Sequence, residues 1–154
     1  MKKNIIIVCT CKKELVDKAL ETITSNTSPA EVKKYEDDDF GVRDENGKLV
    51  WDFLKTGEGE TKITITRSSE TCRQINMAIL KGSLEKSRKK IPSYAKEIPG
   101  LDKDGVEVIH ITRGGEVKEI EVEESGFSIE EMDLMIEEVN QKTEEMYYEL
   151  KYGD

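Results

Sequence analysis

Residues 40–67 read FGVRDENGKLVWDFLKTGEGETKITITR, and how this stretch divides decides the fold expected of the chain. Asn46-Gly47 lies between Phe40–Arg43 and Leu49–Leu54. The favoured two-residue hairpin turn needs positive φ at both central positions, which Asn and Gly adopt readily. Gly57-Glu58-Gly59 marks another turn, and Lys62–Arg67 (KITITR) then alternates like a strand. The stretch therefore predicts a three-stranded antiparallel meander.

Upstream, Asn4–Thr10 (NIIIVCT) is an apolar, β-branched run and reads as a buried strand. Lys13–Ser25 carries Leu15, Val16, Ala19, Leu20 and Ile23 at helical spacing. Ser28-Pro29-Ala30-Glu31 has the form of a fresh helix start, with a capping serine, a proline at the first position and a reciprocal glutamate. Downstream, a helix is expected from Ser69 or Glu70 to about Lys81, with Cys72, Ile75, Ala78 and Ile79 inward, and Gly82 interrupts it. Val106–Arg113 and Glu116–Glu123 read as strands joined by Gly114-Gly115.

Ser128-Ile129-Glu130-Glu131 is a capping box, flanked by Phe127 and Met132 at staple spacing. From it an amphipathic helix is expected to run to about Leu150, with Ile129, Met132, Ile136, Val139, Thr143, Met146 and Leu150 along one seam. The expected fold is one α+β domain over residues 1–154. It has a mainly antiparallel sheet of about five or six strands, helices chiefly on one face and a long C-terminal amphipathic helix.

Of the 154 residues, 36% are hydrophobic and 37% charged, which implies a modest core under a heavily solvated surface. The Ile5–Val8 run is too short for a signal peptide, and no run is long enough to span a membrane. Three cysteines, two of them one residue apart, do not suit a secreted disulfide framework, so a cytoplasmic protein is expected. The net charge of −9 is unevenly spread. Residues 101–154 hold 17 acidic and 5 basic groups, whereas Lys62–Lys96 holds 9 basic and 2 acidic ones. Either these segments face each other in the fold or each faces a partner.

Three expected strands end in threonine: at Thr10-Cys11-Lys12, at Thr66-Arg67-Ser68-Ser69 and at Thr112-Arg113-Gly114. The first two lead into helices, whose N-termini present unpaired N–H groups and partial positive charge. Arg67, Ser68, Ser69, Thr71, His110, Thr112 and Arg113 are accordingly the candidate residues for a phosphate or nucleotide at the strand ends. Helix capping by Ser68 or Ser69, with Arg67 as a surface charge, explains part of the same pattern.

His110-Ile111-Thr112 resembles one of the paired His-x-Thr motifs of two-histidine phosphoesterases, with Thr64-Ile65-Thr66 as the second position. Thr64 stands where that family has histidine, and the chain owns one histidine in all. The resemblance implies a degenerate copy that binds a phosphate ester, since an acid–base pair of two imidazoles cannot be built here.

Cys9, Cys11, Cys72 and His110 would compose a Cys3His zinc set, but Cys-x-Cys is closer than the usual ligand spacing, so no metal or other cofactor is expected. The acidic clusters at residues 37–39 and 44–45 lack calcium-loop spacing. The basic stretch Lys81–Lys90 has no interleaved aromatics, which argues against nucleic acid. Two functions remain. One is a non-catalytic inhibitor or immunity-type protein that docks on a basic protein surface. It would use Glu137, Glu138, Glu144, Glu145, Tyr147 and Tyr148, and the same helix could pair two copies of the chain. The other is a module for a small phosphate-bearing ligand at the strand ends.

Overall fold

In the computed structural model the described residues are 3–12, 14, 17, 31–35, 41–129, 146 and 148–153. Among these residues five strands form one sheet: β1 (Asn4–Cys9), β2 (Glu31–Tyr35), β3 (Lys62–Thr66), β4 (Val106–Ile111) and β5 (Val117–Ile120). Their spatial order is β2-β3-β1-β4-β5, with β1 parallel to both neighbours, β2 parallel to β3, and β5 alone antiparallel. This overturns the mainly antiparallel sheet. β1 is buried along its whole length because it is central and covered on both faces, the environment that selects near-continuous apolar runs in parallel sheets.

A turn forms here, but it spans Asp44–Gly47 with Gly47 and not Asn46 at positive φ, and the meander does not form. Gly47 has φ +78°, its N–H donates to Asp44 O at 3.0 Å, and Asp44 N donates to Lys48 O at 2.9 Å. Only one antiparallel bridge, Arg43↔Leu49, flanks that turn. The chain then winds into a short 3-10 helix at Asp52–Leu54, and Trp51, Phe53 and Leu54 enter the main core. KITIT is a strand, as its alternation implies, yet it pairs in parallel with β1 and β2. The helix expected to start at Ser28 is corrected too, since Glu31–Tyr35 is β2 and the capping residues before it lie outside the described set.

Among the described residues the long helix is mid-chain: α1, Ser69–Lys86. It does not stop at Gly82. A Cβ there would meet Leu101 O at 2.0 Å, so this glycine lets the chain at residues 99–101 cross against the helix, where Leu101 N donates to Ala78 O. α1 packs on one sheet face through Cys72, Ile75, Ala78 and Ile79, in one cluster with Ile6, Val8, Val106 and Val108. Ile5, Ile7, Cys9, Cys11, Ile63, Ile65 and Ile111 form a second cluster on the other face. The long C-terminal helix expected from Ile129 to about Leu150 falls mostly outside the described residues, of which Met146 and residues 148–152 are helical. Among the described residues no helix is long and apolar enough to cross a membrane.

Polar side chains dock the loops onto α1. Gln74 Oε1 accepts from Val42 N at 2.8 Å, and Gln74 Nε2 donates to Val50 O at 2.8 Å and Val42 O at 3.3 Å. Asn76 brackets Phe127 in the same manner, accepting from its N–H and donating to its carbonyl, each at 2.9 Å. These groups replace hydrogen bonds that a sheet would otherwise supply to buried backbone.

Candidate functional site at the strand ends

Because β3, β1 and β4 are adjacent and parallel, their carboxyl ends lie side by side, with Val8 registered against both Thr66 and His110. Side-chain alternation puts Thr66, Val8 and His110 on the face that carries α1. His110 is 4% exposed, and its Nε2 lies 2.8 Å from Thr10 Oγ1, just past the end of β1. The same Thr10 oxygen lies 3.3 Å from the Ile111 carbonyl. A hydroxyl has one proton to give. Both contacts hold together only when Thr10 donates to Ile111 O and Nε2 of His110 carries the proton it donates to Thr10.

Beside this pair, α1 begins. Thr66 Oγ1 accepts from Ser68 N at 3.0 Å, and Ser68 Oγ caps the helix by accepting from Thr71 N at 3.2 Å. Capping therefore accounts for Ser68, as its residue type suggests. Arg67 is half-buried and donates to Cys11 O at 2.5 Å, so its guanidinium bridges the end of β3 to the chain leaving β1. Glu70, in the first turn of α1, is 5% exposed and pairs with Arg73 at 3.3 Å and Arg43 at 3.8 Å. That carboxylate takes part of the helix N-terminal field for itself, and the two arginines offset its charge.

The candidate residues divide accordingly. Arg67, Ser68 and His110 come to one edge, together with Thr10, which residue type alone had not marked for binding. Its signal was positional, as the first residue after a central parallel strand. Ser69 is half-buried in the first turn of α1. Thr71 is buried, and its Oγ1 has no hydrogen-bond partner among the described residues. Thr112 is committed to the β4–β5 turn, where its N–H donates to Glu116 O at 2.9 Å and its Oγ1 accepts from Glu116 N at 3.2 Å. Arg113 is exposed in that turn.

Thr64 is not a second position opposite His110. It pairs with Ile6, one step below, and β1 stands between β3 and β4. Thr64 and His110 therefore lie on strands that are not neighbours and at different levels of the sheet. The four thought of as zinc ligands are also split by the sheet, Cys9 and Cys11 on one face, Cys72 and His110 on the other. Burial pushes the Cys72 thiol up to about 12, against the lowering pull of Arg73, so it stays protonated near neutrality. Of the expected partner-binding residues, Glu137, Glu138, Glu144, Glu145 and Tyr147 lie outside the described set, and Tyr148 is exposed.

A cavity of about 620 Å³ opens at the opposite edge, by Lys3, Asn4, Lys55, Asp102 and Asp104. Its two aspartates already face Lys86, each at 4.0 Å. Open α/β sheets bind ligands outside the carboxyl ends of their strands, where helix N-termini gather, so the strand-end group is the better candidate. Comparison with family models, with curated proteins and with solved structures returns no match.

Proposed function

We propose that this protein binds a small phosphate-bearing ligand, of the size of a phosphate ester or mononucleotide, at the carboxyl ends of β1, β3 and β4. The observation that carries the reading is the Thr10–His110 contact beside the capped start of α1, with Arg67 bridging the same strand ends. The edge supplies hydroxyls, an imidazole, a guanidinium and the positive end of a helix of 18 residues, which suits an anion rich in acceptor oxygens. The role is binding, with the ring of His110 holding the Thr10 hydroxyl in place at the strand ends. The chain has a single histidine, so its ring resonances report on the site without ambiguity.

Titration with inorganic phosphate and with a nucleoside monophosphate, followed by NMR of that ring, tests the idea. Saturable shifts of the His110 signals are expected, weakened by Thr10→Val and by Arg67→Ala. Ring signals that stay fixed throughout both titrations would overturn the reading.

A further inference from the structure

We propose that the outer edge of β5 accepts an extended, lysine- or arginine-bearing segment of a partner protein as an additional strand of the sheet. The edge is a separate feature from the strand-end site. β5 closes the sheet on one side, and its backbone polarity follows from two bonds. Thr10 N donates to Ile111 O, so that carbonyl faces β1 and turns away from β5. Thr112 N donates to Glu116 O across the turn. Opposed antiparallel residues alternate between bonded and non-bonded pairs, so Ile111↔Val117 and Ile109↔Glu119 are the non-bonded ones. The N–H and C=O groups of Val117 and Glu119 therefore point outward along the sheet, ready for another strand.

The side chains on this edge restrict what can pair with it. A second copy is disfavoured. Two-fold pairing through the outward groups, centred on this strand, sets either Lys118 against Lys118 or Glu119 against Glu119, and like charges directly opposite destabilise a ladder. That is the usual protection of an exposed edge. The protection is selective, because Glu116, Glu119, Glu121 and Glu123 are all exposed and outnumber Lys118. Val117 and Glu119 lie on the same sheet face as Ile111 and Ile109, with Glu121 continuing that alternation. Val117 is 53% exposed, an apolar contact next to the carboxylates. A partner strand with basic residues opposite Glu119 and Glu121 gains the backbone bonds of strand addition and two favourable cross-strand pairs. The charges that repel a copy attract such a segment.

A synthetic peptide of roughly seven residues, enough for one strand, with Lys and Thr alternating, is the probe. It is titrated into the full-length chain and followed by amide NMR. Shifts and slowed exchange are expected at Val117 and Glu119. The same peptide, N-methylated on the amides that would face β5, is expected not to bind. Glu119→Lys combined with Glu121→Lys should weaken binding by about tenfold or more, by reversing two cross-strand charges. Both residues are exposed, and an unchanged melting temperature confirms that the variant is folded. Equal binding by the N-methylated peptide would reduce the effect to diffuse charge attraction and overturn the proposal. So would absence of binding by the unmodified peptide, or a concentration-dependent dimer that the peptide dissociates.

Discussion

Two segments of this chain carry the same local instruction and end differently. Residues 41–54 and 106–120 each place a glycine turn between runs that read as strands. Both turns form, with Gly47 at φ +78° and Gly115 at φ +84°. Around Gly115 the flanks become β4 and β5 and pair from Val108↔Ile120 to Ile111↔Val117. Around Gly47 they share the single Arg43↔Leu49 bridge. The difference lies in what else each flank can join. β4 is templated by the buried β1 beside it, so its backbone is already extended when β5 arrives. Residues 42–50 have α1 as their neighbour, and the Gln74 carboxamide supplies the hydrogen bonds that a partner strand would have made. A turn brings two flanks together, but a template decides whether they become a sheet.

The largest expected effect comes from removing that substitute partner. Gln74→Ala removes the side-chain partner of the buried Val42 N–H and of the Val50 carbonyl, while Val42 O keeps Val50 N at 2.9 Å, and stability should fall by about 3 kcal/mol, on the scale of one to three per orphaned buried group. Chemical denaturation measures it. A change under about 1 kcal/mol, the net worth of one ordinary hydrogen bond, would mean that residues 41–50 hold their course without the helix.

Next come the turns themselves. Gly115→Ala and Gly47→Ala should each cost about 1–2 kcal/mol, because both force a side chain into positive φ. Their consequences should separate in hydrogen exchange. The Gly115 variant should release amides along β5, whereas the Gly47 variant should release only residues near the turn. Equal spread of the two effects would erase the proposed difference between templated and untemplated flanks.

The smallest effect is expected at Asp44, whose Oδ1 accepts from Asn46 N at 2.9 Å and Lys48 N at 3.0 Å on the surface. Asp44→Ala should cost about 0.5 kcal/mol, the low end for an exposed turn hydrogen bond. A thermal melt shifted no more than that, with the Gln74 bonds intact, would show that the segment is held by α1 and not by its own turn.

Local chemistry was legible from residue types alone: the buried run of β1, the KITIT strand, the β4–β5 hairpin, the start of α1 at Ser68 and the tight turn at Gly47. Each depends on neighbours a few residues away, through side-chain period, capping groups or glycine's access to positive φ. The same reading drew Arg67, Ser68 and His110 together as candidates, because strand ends followed by helix starts can be recognised in order along the chain. Their actual meeting required the parallel sheet, which depends on pairings between β1, β3 and β4 across some fifty to a hundred residues, as the Thr10–His110 separation shows. Thr10 itself became significant only when β4 was laid beside β1. Gly82, expected to break a helix, proved to be the point where the chain at Leu101 crosses it. The apolar run of β1 marks a buried strand, but the direction in which the alternating KITIT of β3 pairs is not written in its own residues. It is decided by which buried strand offers its unpaired edge, and that is a property of the assembled core.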